Sequence, residues 1–250
     1  MARITFLGAP MDSLTMAETV DKIEAKIQNN EFLQHVVVNV AKLVHMQSDN
    51  ELAESVKACD MINIDGMGVV LGARFCGHDI PERVAGVDLF HELLAMSAKQ
   101  DFPVFLLGAK ESVVTKTAET VEKLYPNLSL AGYHHGYFWG NDGKDEQTVV
   151  EQIKASGAKL LFVAITSPKK ENFINKWQDQ LGVNFVMGVG GTFDVVSGTV
   201  KRAPLWMQNY GLEWFYRVLQ EPRRMWKRYL ITNAKFLFLL IKEKFFNKKK

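Results

Sequence analysis

Two apolar stretches, Pro103-Val-Phe-Leu-Leu-Gly108 and Lys159-Leu-Leu-Phe-Val-Ala-Ile165, decide the fold class of this 250-residue chain. Each run is short, almost continuously hydrophobic and followed by polar or glycine-containing residues, which is typical of a strand buried on both faces. Amphipathic helical patterns lie between these and other apolar runs, so strands and helices alternate along the chain. The alternation predicts an α/β fold with a mostly parallel sheet and helices on both faces.

The composition is that of an ordinary globular protein, with 47% hydrophobic and 23% charged residues. It excludes a collagenous, low-complexity or wholly disordered chain. The pattern changes near Lys201, beyond which the chain is rich in Trp, Arg and Phe and its pattern is helical throughout. We therefore expect a Rossmann-like α/β domain over residues 1–200 and a helical appendage over residues 201–250. Within the predicted α/β domain, the spacing of the apolar residues predicts helices over residues 12–28 and 41–57.

Cysteine usage and the N-terminal segment indicate the compartment. Two cysteines, Cys59 and Cys76, cannot form a disulfide framework, so we expect a reducing compartment. No Cys-x-x-Cys pair is present, which removes the usual zinc arrangements. The first residues carry a short apolar stretch broken by Gly8 and Pro10, and we expect a strand there rather than a signal peptide. No apolar run reaches about 18 residues, so no membrane-spanning helix is expected.

The C-terminal segment is strongly basic. Residues 217–250 contain 11 Lys and Arg against two Glu, although the whole chain has a net charge of only +2. An apolar run over residues 236–241 lies between Lys235 and Lys242, with Trp and Tyr upstream. Aromatic residues beside basic ones suit the lipid headgroup region, so we expect binding to an anionic membrane surface. A helix packed on the protein's own sheet or on a dimer partner is the alternative. Nucleic acid is not expected, because six consecutive apolar residues do not help to bind a phosphate backbone.

Four predicted strand ends carry polar or glycine-rich residues, at the edge where open parallel sheets bind ligands. A glycine at such a turn lets backbone N–H groups approach an oxyanion, and the following helix N-terminus favours negative charge. A nucleotide or phosphosugar is therefore the expected ligand. The residues at these ends are Asn39; Asp65, Gly66 and Gly68; Gly108, Ala109 and Lys110; and Gly190, Gly191, Thr192, Phe193 and Asp194.

Two charged residues, Asp65 at a strand end and Arg83 in a loop, each have more than one interpretation. Asp65 follows an apolar strand, where a carboxylate can act as a general base towards a hydroxyl or can cap the next helix. For Asp194, capping is the expected role. Arg83 lies in a turn-rich loop, where its guanidinium can hold a diphosphate or form a surface salt bridge with Glu82 or Asp79.

A third group of polar side chains lies in a loop between a predicted strand and helix. His134, His135 and Tyr137 are placed there to approach a ligand. A histidine pair without a third ligand does not indicate a metal site.

Several segments occur in an order and at spacings that resemble the WecG/TagA/CpsF family of glycosyltransferases (glycosyltransferase family 26). The resemblance runs from near residue 5 to about residue 230. The segments are Val38-Asn39-Val-Ala-Lys-Leu-Val, Ile64-Asp65-Gly66-Met-Gly68-Val-Val, Pro81-Glu82-Arg83-Val-Ala-Gly86-Val-Asp88-Leu-Phe, Gly188-Val-Gly190-Gly191-Thr-Phe193-Asp194, Gly198-Thr-Val-Lys201-Arg202-Ala203-Pro204, Gly211-Leu-Glu213-Trp214 and Glu221-Pro222-Arg223-Arg224.

The resemblance implies an inverting transferase that makes a glycosidic bond in bacterial cell-surface polysaccharide or teichoic acid biosynthesis. The donor would be a UDP-sugar carrying N-acetylmannosamine, its uronic acid or a hexose. The acceptor would be a sugar on a polyprenyl diphosphate, at the cytoplasmic face of the plasma membrane. The enzyme would be peripheral, would use no cofactor and no bound metal, and could form a homo-oligomer.

The resemblance also assigns roles to residues. Asp65 matches the proposed base, and Asn39 and Arg83 match active-site residues. The donor nucleotide would be bound at the glycine turns of the strand ends, with Tyr137 and Lys170 nearby. Without a metal, arginines and helix N-termini must stabilise the charge of the leaving UDP. The candidates for the diphosphate and the membrane are Arg217, Arg223, Arg224 and Arg228.

Some positions depart from the family pattern. Val37 stands where Thr is frequent, Thr166 where Gly is usual, Lys170 where Gln is usual and Phe173 where Trp is usual. We hypothesise that Lys170 faces the donor and favours an anionic or differently substituted sugar.

Two other functions remain open from the residues. The run from Gly66 to Gly72 loosely resembles a dinucleotide fingerprint, although its spacing is GxGxxxG and it lacks an acidic ribose partner about 20 residues on. It would indicate a nucleotide-binding oxidoreductase. The basic tail alone would suit a non-catalytic membrane-binding module.

Overall fold

The computed structural model describes residues 3–139 and 144–246, without the side chains of Lys144 and Arg224. Strands and helices alternate through most of this range, as the apolar pattern predicts. The strands are β1 (Arg3–Phe6), β2 (Ala9–Asp12), β3 (Leu33–Val38), β4 (Met61–Ile64), β5 (Val104–Gly108), β6 (Leu130–His134), β7 (Leu160–Ala164) and β8 (Phe185–Gly188). The helices are α1 (Met16–Gln28), α2 (Val40–Met46), α3 (Asn50–Lys57), α4 (Met67–Phe75), α5 (Gly86–Gln100), α6 (Glu111–Leu124), α7 (Lys144–Ala155), α8 (Lys169–Trp177), α9 (Thr192–Val196), α10 (Leu205–Asn209), α11 (Glu213–Gln220) and α12 (Pro222–Phe246).

Six strands form one sheet in the order β4-β3-β8-β7-β5-β6. The pairs β3–β8, β8–β7, β7–β5 and β5–β6 are parallel, and β1 and β2 form a separate antiparallel pair. The prediction of an α/β fold with a mostly parallel sheet is confirmed. None of the helices in the described ranges is both long enough and apolar enough to cross a membrane.

The chain divides into two compact units. One comprises Met1–Met16, Val37–Ala85 and Lys201–Lys250, and the other comprises Ala17–Val36 and Gly86–Val200. We call them the first unit and the second unit. The chain leaves the second unit at Val200, which is also where the sequence predicts the start of the appendage. A separate role for residues 201–250 stays a prediction.

The second unit is built around its central strands. Every residue of β5, β7 and β8 is buried, because these strands consist of Val, Leu, Phe and other small or apolar residues. Phe90 of α5 packs edge-on against Phe162 of β7, with ring centroids 4.7 Å apart. This contact packs α5 onto the middle of β7.

The first unit joins the β1–β2 pair, β4 and the C-terminal helices. The carboxylate of Asp12 accepts hydrogen bonds from the Ile62 N–H, at 2.8 Å, and from the Arg3 guanidinium. Helix α12 packs against α2 and buries Met225 and Phe236. The ring of Phe236 also makes an edge contact with Phe6 of β1.

Two predicted helix boundaries are wrong. The helix predicted over residues 12–28 begins at Met16, because Ala9–Asp12 pairs with Arg3–Phe6 as a strand. The helix predicted over residues 41–57 is divided into α2 and α3. The side chain of Asp49 accepts a hydrogen bond from the Leu52 N–H at 3.0 Å, which caps α3 and starts a new helix.

Candidate active site

Asp65 lies directly after β4, where the apolar strand predicts it. Its backbone N–H donates to the carbonyl of Val38 at 2.9 Å, so the ends of β3 and β4 are side by side. The N-cap residue of α4 is Gly66, with φ of +99°, and not Asp65. That backbone conformation favours glycine, and it turns the chain from the strand into the helix. The helix-cap interpretation of Asp65 is therefore not the one that the structure supports.

Asn39 follows β3 and is the N-cap residue of α2. Its Oδ1 accepts a hydrogen bond from the Lys42 N–H at 3.0 Å, which holds the side chain at the helix start. A Cβ placed on Gly66 would lie 3.9 Å from the Asn39 Cβ, so the two turns are adjacent. The cap fixes the side-chain orientation, and its amide nitrogen carries the hydrogens that a substrate oxygen can accept.

Arg83 is held beside the same strand end. The N–H of Val84 donates to the carbonyl of Ile64 at 2.9 Å, which ties the loop of Arg83 to the residue before Asp65. The structure thus brings the backbones of Asn39, Asp65 and Arg83 together within the first unit.

The guanidinium of Arg83 pairs with Glu213 of α11. The Arg83 Nη1 lies 3.3 Å from the Glu213 Oε2, and these side chains are 14% and 25% exposed. Arg83 thus pairs with Glu213 rather than with Glu82 or Asp79, the partners expected from the sequence, and the Glu82 carboxylate accepts a hydrogen bond from the Met16 N–H. The sequence alone does not predict this pair, because 130 residues separate Glu213 from Arg83 and no local pattern connects them.

Helix α4, which begins two residues after Asp65, contacts residues of the predicted appendage both at its start and in its second half. At its start, a Cβ on Gly211 would lie 2.8 Å from the Met67 Cβ. In its second half, a Cβ on Gly72 would lie 2.9 Å from the Leu240 Cδ2 and 3.0 Å from the Phe236 Cζ. Gly72 therefore allows close packing of α12 on α4, whereas the third glycine of a dinucleotide fingerprint allows close packing of a helix on a strand.

In the second unit, the turn after β5 requires glycine. Gly108 has φ of +124°, and a Cβ there would lie 2.5 Å from the backbone of Ala164. The N–H of Ala109 donates to the Ala164 carbonyl, and the Gly136 N–H donates to the Ala109 carbonyl, both at 2.9 Å. Lys110 is exposed and precedes α6 as its N-cap residue. The turn therefore leads into the positive end of a helix, as predicted for an anion-binding turn.

The loop after β6 carries the two histidines and an exposed tyrosine. Tyr137 is 69% exposed, and its N–H donates to the Nδ1 of His135 at 3.1 Å. Because Nδ1 accepts, the neutral His135 ring carries its proton on Nε2, which lies 3.9 Å from the Glu111 carboxylate. His134 lies alongside, with ring centroids 4.4 Å apart. Within the described ranges, no group of three or more His, Cys, Asp or Glu side chains is arranged to hold a metal ion.

The turn after β8 leads into α9, with Gly191 as the N-cap residue. Gly190 has φ of +54°, and the Thr192 hydroxyl donates to the Val189 carbonyl at 2.8 Å. Phe193 is buried completely, with its ring against Phe90, and its carbonyl accepts hydrogen bonds from the Thr117 hydroxyl and the Ser197 N–H. Asp194 lies in the first turn of α9 rather than at its cap.

Lys170 of α8 lies beneath this turn. Its side chain is buried, and a Cβ on Gly188 would lie 2.7 Å from the Lys170 Cε. The Nζ lies 3.6 Å from the Glu171 carboxylate, which offsets the cost of burying the ammonium group. Thr166 is exposed and accepts the Lys170 backbone N–H. The hypothesis that Lys170 selects the donor sugar stays a prediction.

The basic candidates of the C-terminal segment differ in exposure. Arg217 of α11 is half-buried, whereas Arg223 and Arg228 of α12 are exposed. The side chain of Arg224 lies outside the described residues. Their assignment to the diphosphate or the membrane stays a prediction.

Comparison with known proteins places the chain in a family. The model of the glycosyl transferase WecG/TagA/CpsF family matches residues 4–250. The chain is 38% identical over 195 residues to an N-acetylglucosaminyldiphosphoundecaprenol N-acetyl-beta-D-mannosaminyltransferase of Bacillus subtilis (strain 168), covering 78% of this chain and 73% of that protein. It is 37% identical over 185 residues to a protein of the same name from Bacillus spizizenii, covering 74% of this chain and 69% of the relative. The chain therefore belongs to the WecG/TagA/CpsF family and is a glycosyltransferase.

Proposed function

We propose that this glycosyltransferase moves a sugar from a UDP-sugar to a sugar carried on a polyprenyl diphosphate, in the synthesis of a bacterial cell-surface polysaccharide or teichoic acid. The donor sugar would be N-acetylmannosamine, its uronic acid or a hexose. The names of the two Bacillus relatives support a lipid-diphosphate acceptor and an N-acetylmannosaminyl donor group. The observation that carries the proposal is Asp65 at the end of β4, with Asn39 and Arg83 on the neighbouring backbone.

Asp65 acts as the general base in this proposal. Its carboxylate takes the proton of the acceptor hydroxyl as that oxygen attacks the anomeric carbon of the donor. The bond between the anomeric carbon and the β-phosphate oxygen breaks, and UDP leaves with the bonding electron pair. A single displacement of this kind inverts the anomeric configuration. Asn39 donates from its amide group to a substrate oxygen, and its cap on α2 keeps that group oriented.

The leaving diphosphate needs positive charge. A guanidinium binds phosphate oxygens bidentately, and Arg83 lies beside the base. In the proposal, Arg83 exchanges Glu213 for the diphosphate when the donor binds. Additional positive charge is proposed to come from Arg217, Arg224 and Arg228. The nucleotide is proposed to bind beside Tyr137 at the turns Gly66–Gly68, Gly108–Lys110 and Gly190–Phe193.

The enzyme is proposed to act peripherally at the cytoplasmic face of the membrane, where a lipid-linked acceptor is available. Helix α12 exposes large apolar side chains next to exposed basic ones, which is the composition of an interfacial helix. Self-association stays a prediction.

A donor screen tests the proposal. UDP-sugars are offered one at a time with a short-chain polyprenyl-diphosphate-linked N-acetylglucosamine, and the product is detected by mass spectrometry. We expect one donor class to give a product with a single added sugar and inverted configuration. No product from any UDP-sugar, with a folded protein and anionic lipid present, would contradict the proposal.

A further inference from the structure

Helix α4 exposes two large apolar side chains on one face. Leu71 is 58% exposed and Phe75 is 50% exposed, and they are one helical turn apart. The other face of the helix buries Val69, Val70 and Ala73. The helix is therefore anchored in the first unit while it presents an apolar pair outward.

This pair lies beside the C-terminal half of α12. Gly72 packs against Leu240 and Phe236, as described above. The Nζ of Lys244 donates to the Phe75 carbonyl at 2.7 Å and lies 5.2 Å from the centre of the Phe75 ring. Leu71 and Phe75 thus continue the surface of α12 rather than forming an isolated patch.

The adjoining surface of α12 is also apolar. Leu237, Ile241 and Phe245 are exposed, and their spacing of four residues places them along one side of the helix. Phe238 is exposed as well. Apolar surface that is continuous over two elements is rare on a protein that meets water alone, and it marks an interaction site.

A basic stripe runs along α12 next to this apolar side. Arg228, Lys235 and Lys242 are exposed and seven residues apart, close to two helical turns, so they share a stripe. An anionic bilayer complements both features, because it accepts apolar side chains and attracts the cations. A second copy of the chain would bring the same positive stripe and be repelled.

We infer that Leu71 and Phe75 of α4 insert into an anionic bilayer together with α12, so that the helix following Asp65 sets the height of the base above the lipid. The inference rests on the proposed function for its lipid-linked acceptor. Helix α4 has nine residues and spans about 13 Å at about 1.5 Å per residue. Asp65 then lies no farther than about one such length from the bilayer, within reach of a sugar joined to the lipid by a diphosphate.

Measuring how tightly the full chain binds lipid vesicles tests whether this surface inserts into an anionic bilayer. The vesicles are an equimolar mixture of phosphatidylglycerol and phosphatidylcholine, and the variants are Leu71→Glu and Phe75→Glu. Leu124→Glu is the matched control, because Leu124 is an apolar residue of the second unit, on α6, with a similar exposure of 57%. We expect both α4 variants to bind at least about tenfold more weakly and the control to bind like the wild type. Wild-type binding by both α4 variants would overturn the inference.

Activity measurements separate this inference from the proposed function. With the acceptor in vesicles, Leu71→Glu should lose most of its activity; with a water-soluble short-chain acceptor it should keep it. Loss of both activities in a variant with an unchanged circular dichroism spectrum would overturn the assigned role of α4. If the wild type makes no product, the proposed function fails and the vesicle result still decides the inference. A lipid-free dimer that Leu71→Glu dissociates, with vesicle binding unchanged, would assign the surface to self-association and overturn the inference.

Discussion

Arg83 and Glu213, which are 130 residues apart in the sequence, form an ion pair with the Arg83 Nη1 3.3 Å from the Glu213 Oε2. Glu213 begins α11, so this helix of the predicted appendage holds an arginine beside the proposed base. Changing the charge of Glu213 therefore alters the environment of Arg83, the proposed diphosphate-binding residue.

Removing the pair should cost stability. Glu213→Gln and Arg83→Gln are each expected to lower the free energy of unfolding, and the pair should show a coupling energy of about 1 kcal/mol, between the values of exposed and buried pairs. Urea unfolding of the wild type, both single variants and the double variant measures the coupling. Strictly additive effects would mean that the ion pair contributes nothing in solution.

The role of Asp65 is tested by its amide. Asp65→Asn keeps the shape of the side chain and removes its ability to take a proton, so turnover should fall at least about a hundredfold. UDP affinity by calorimetry should stay near that of the wild type. Asp49→Asn is a suitable control, because Asn also caps a helix and Asp49 caps α3. An active Asp65→Asn enzyme would remove Asp65 as the base.

The packing of α4 on α12 should be sensitive to the volume of the side chain at position 72. Gly72→Val places atoms where Leu240 and Phe236 now lie, and overpacking of this kind costs about 1–3 kcal/mol. Phe236→Ala alone should also destabilise, because the ring is buried. The double variant should lose less stability than the two single variants together, as thermal unfolding would show. An additive loss would mean that α12 does not pack on α4 in solution.

Glu146 should make the stability depend on pH. Burial alone would raise its pKa, but hydrogen bonds from the Trp177 Nε1 and the Lys176 Nζ and the charge of Lys176 together hold the pKa below its ordinary value of 4.5. A carboxyl whose pKa is depressed by folding stabilises the protein above its unfolded pKa and loses that contribution as the pH falls through the folded value. Glu146→Gln should therefore be less stable than the wild type at pH 7.

The difference between Glu146→Gln and the wild type should shrink as the pH falls below about 4.5. Glu122→Gln, at an exposed position of α6, is the surface control and should differ little from the wild type at pH 7. Urea unfolding over the pH range measures both differences. A difference that stays constant down to pH 3 would contradict the predicted role of Glu146.

Local pattern predicts some parts of this fold better than others. The runs that became β5 and β7 are recognisable because a strand buried on both faces must be apolar at every position. The start of α1 is not recognisable in this way. Ala9–Asp12 forms a strand instead, because the turn at residues 7 and 8 brings it alongside Arg3–Phe6. The division between α2 and α3 depends on one side-chain cap, which the apolar periodicity does not contain.

The sequence by itself determined the fold class, the family and the placement of Asn39 and Asp65 at strand ends. These follow from short-range order, since a strand, its glycine turn and its cap are formed by neighbouring residues. The tertiary structure alone decided that Arg83 pairs with Glu213, that Gly72 packs against α12, and that α4 continues the apolar surface of α12. Those relationships join residues far apart in the chain, and the energy that selects them comes from packing, which no local pattern encodes.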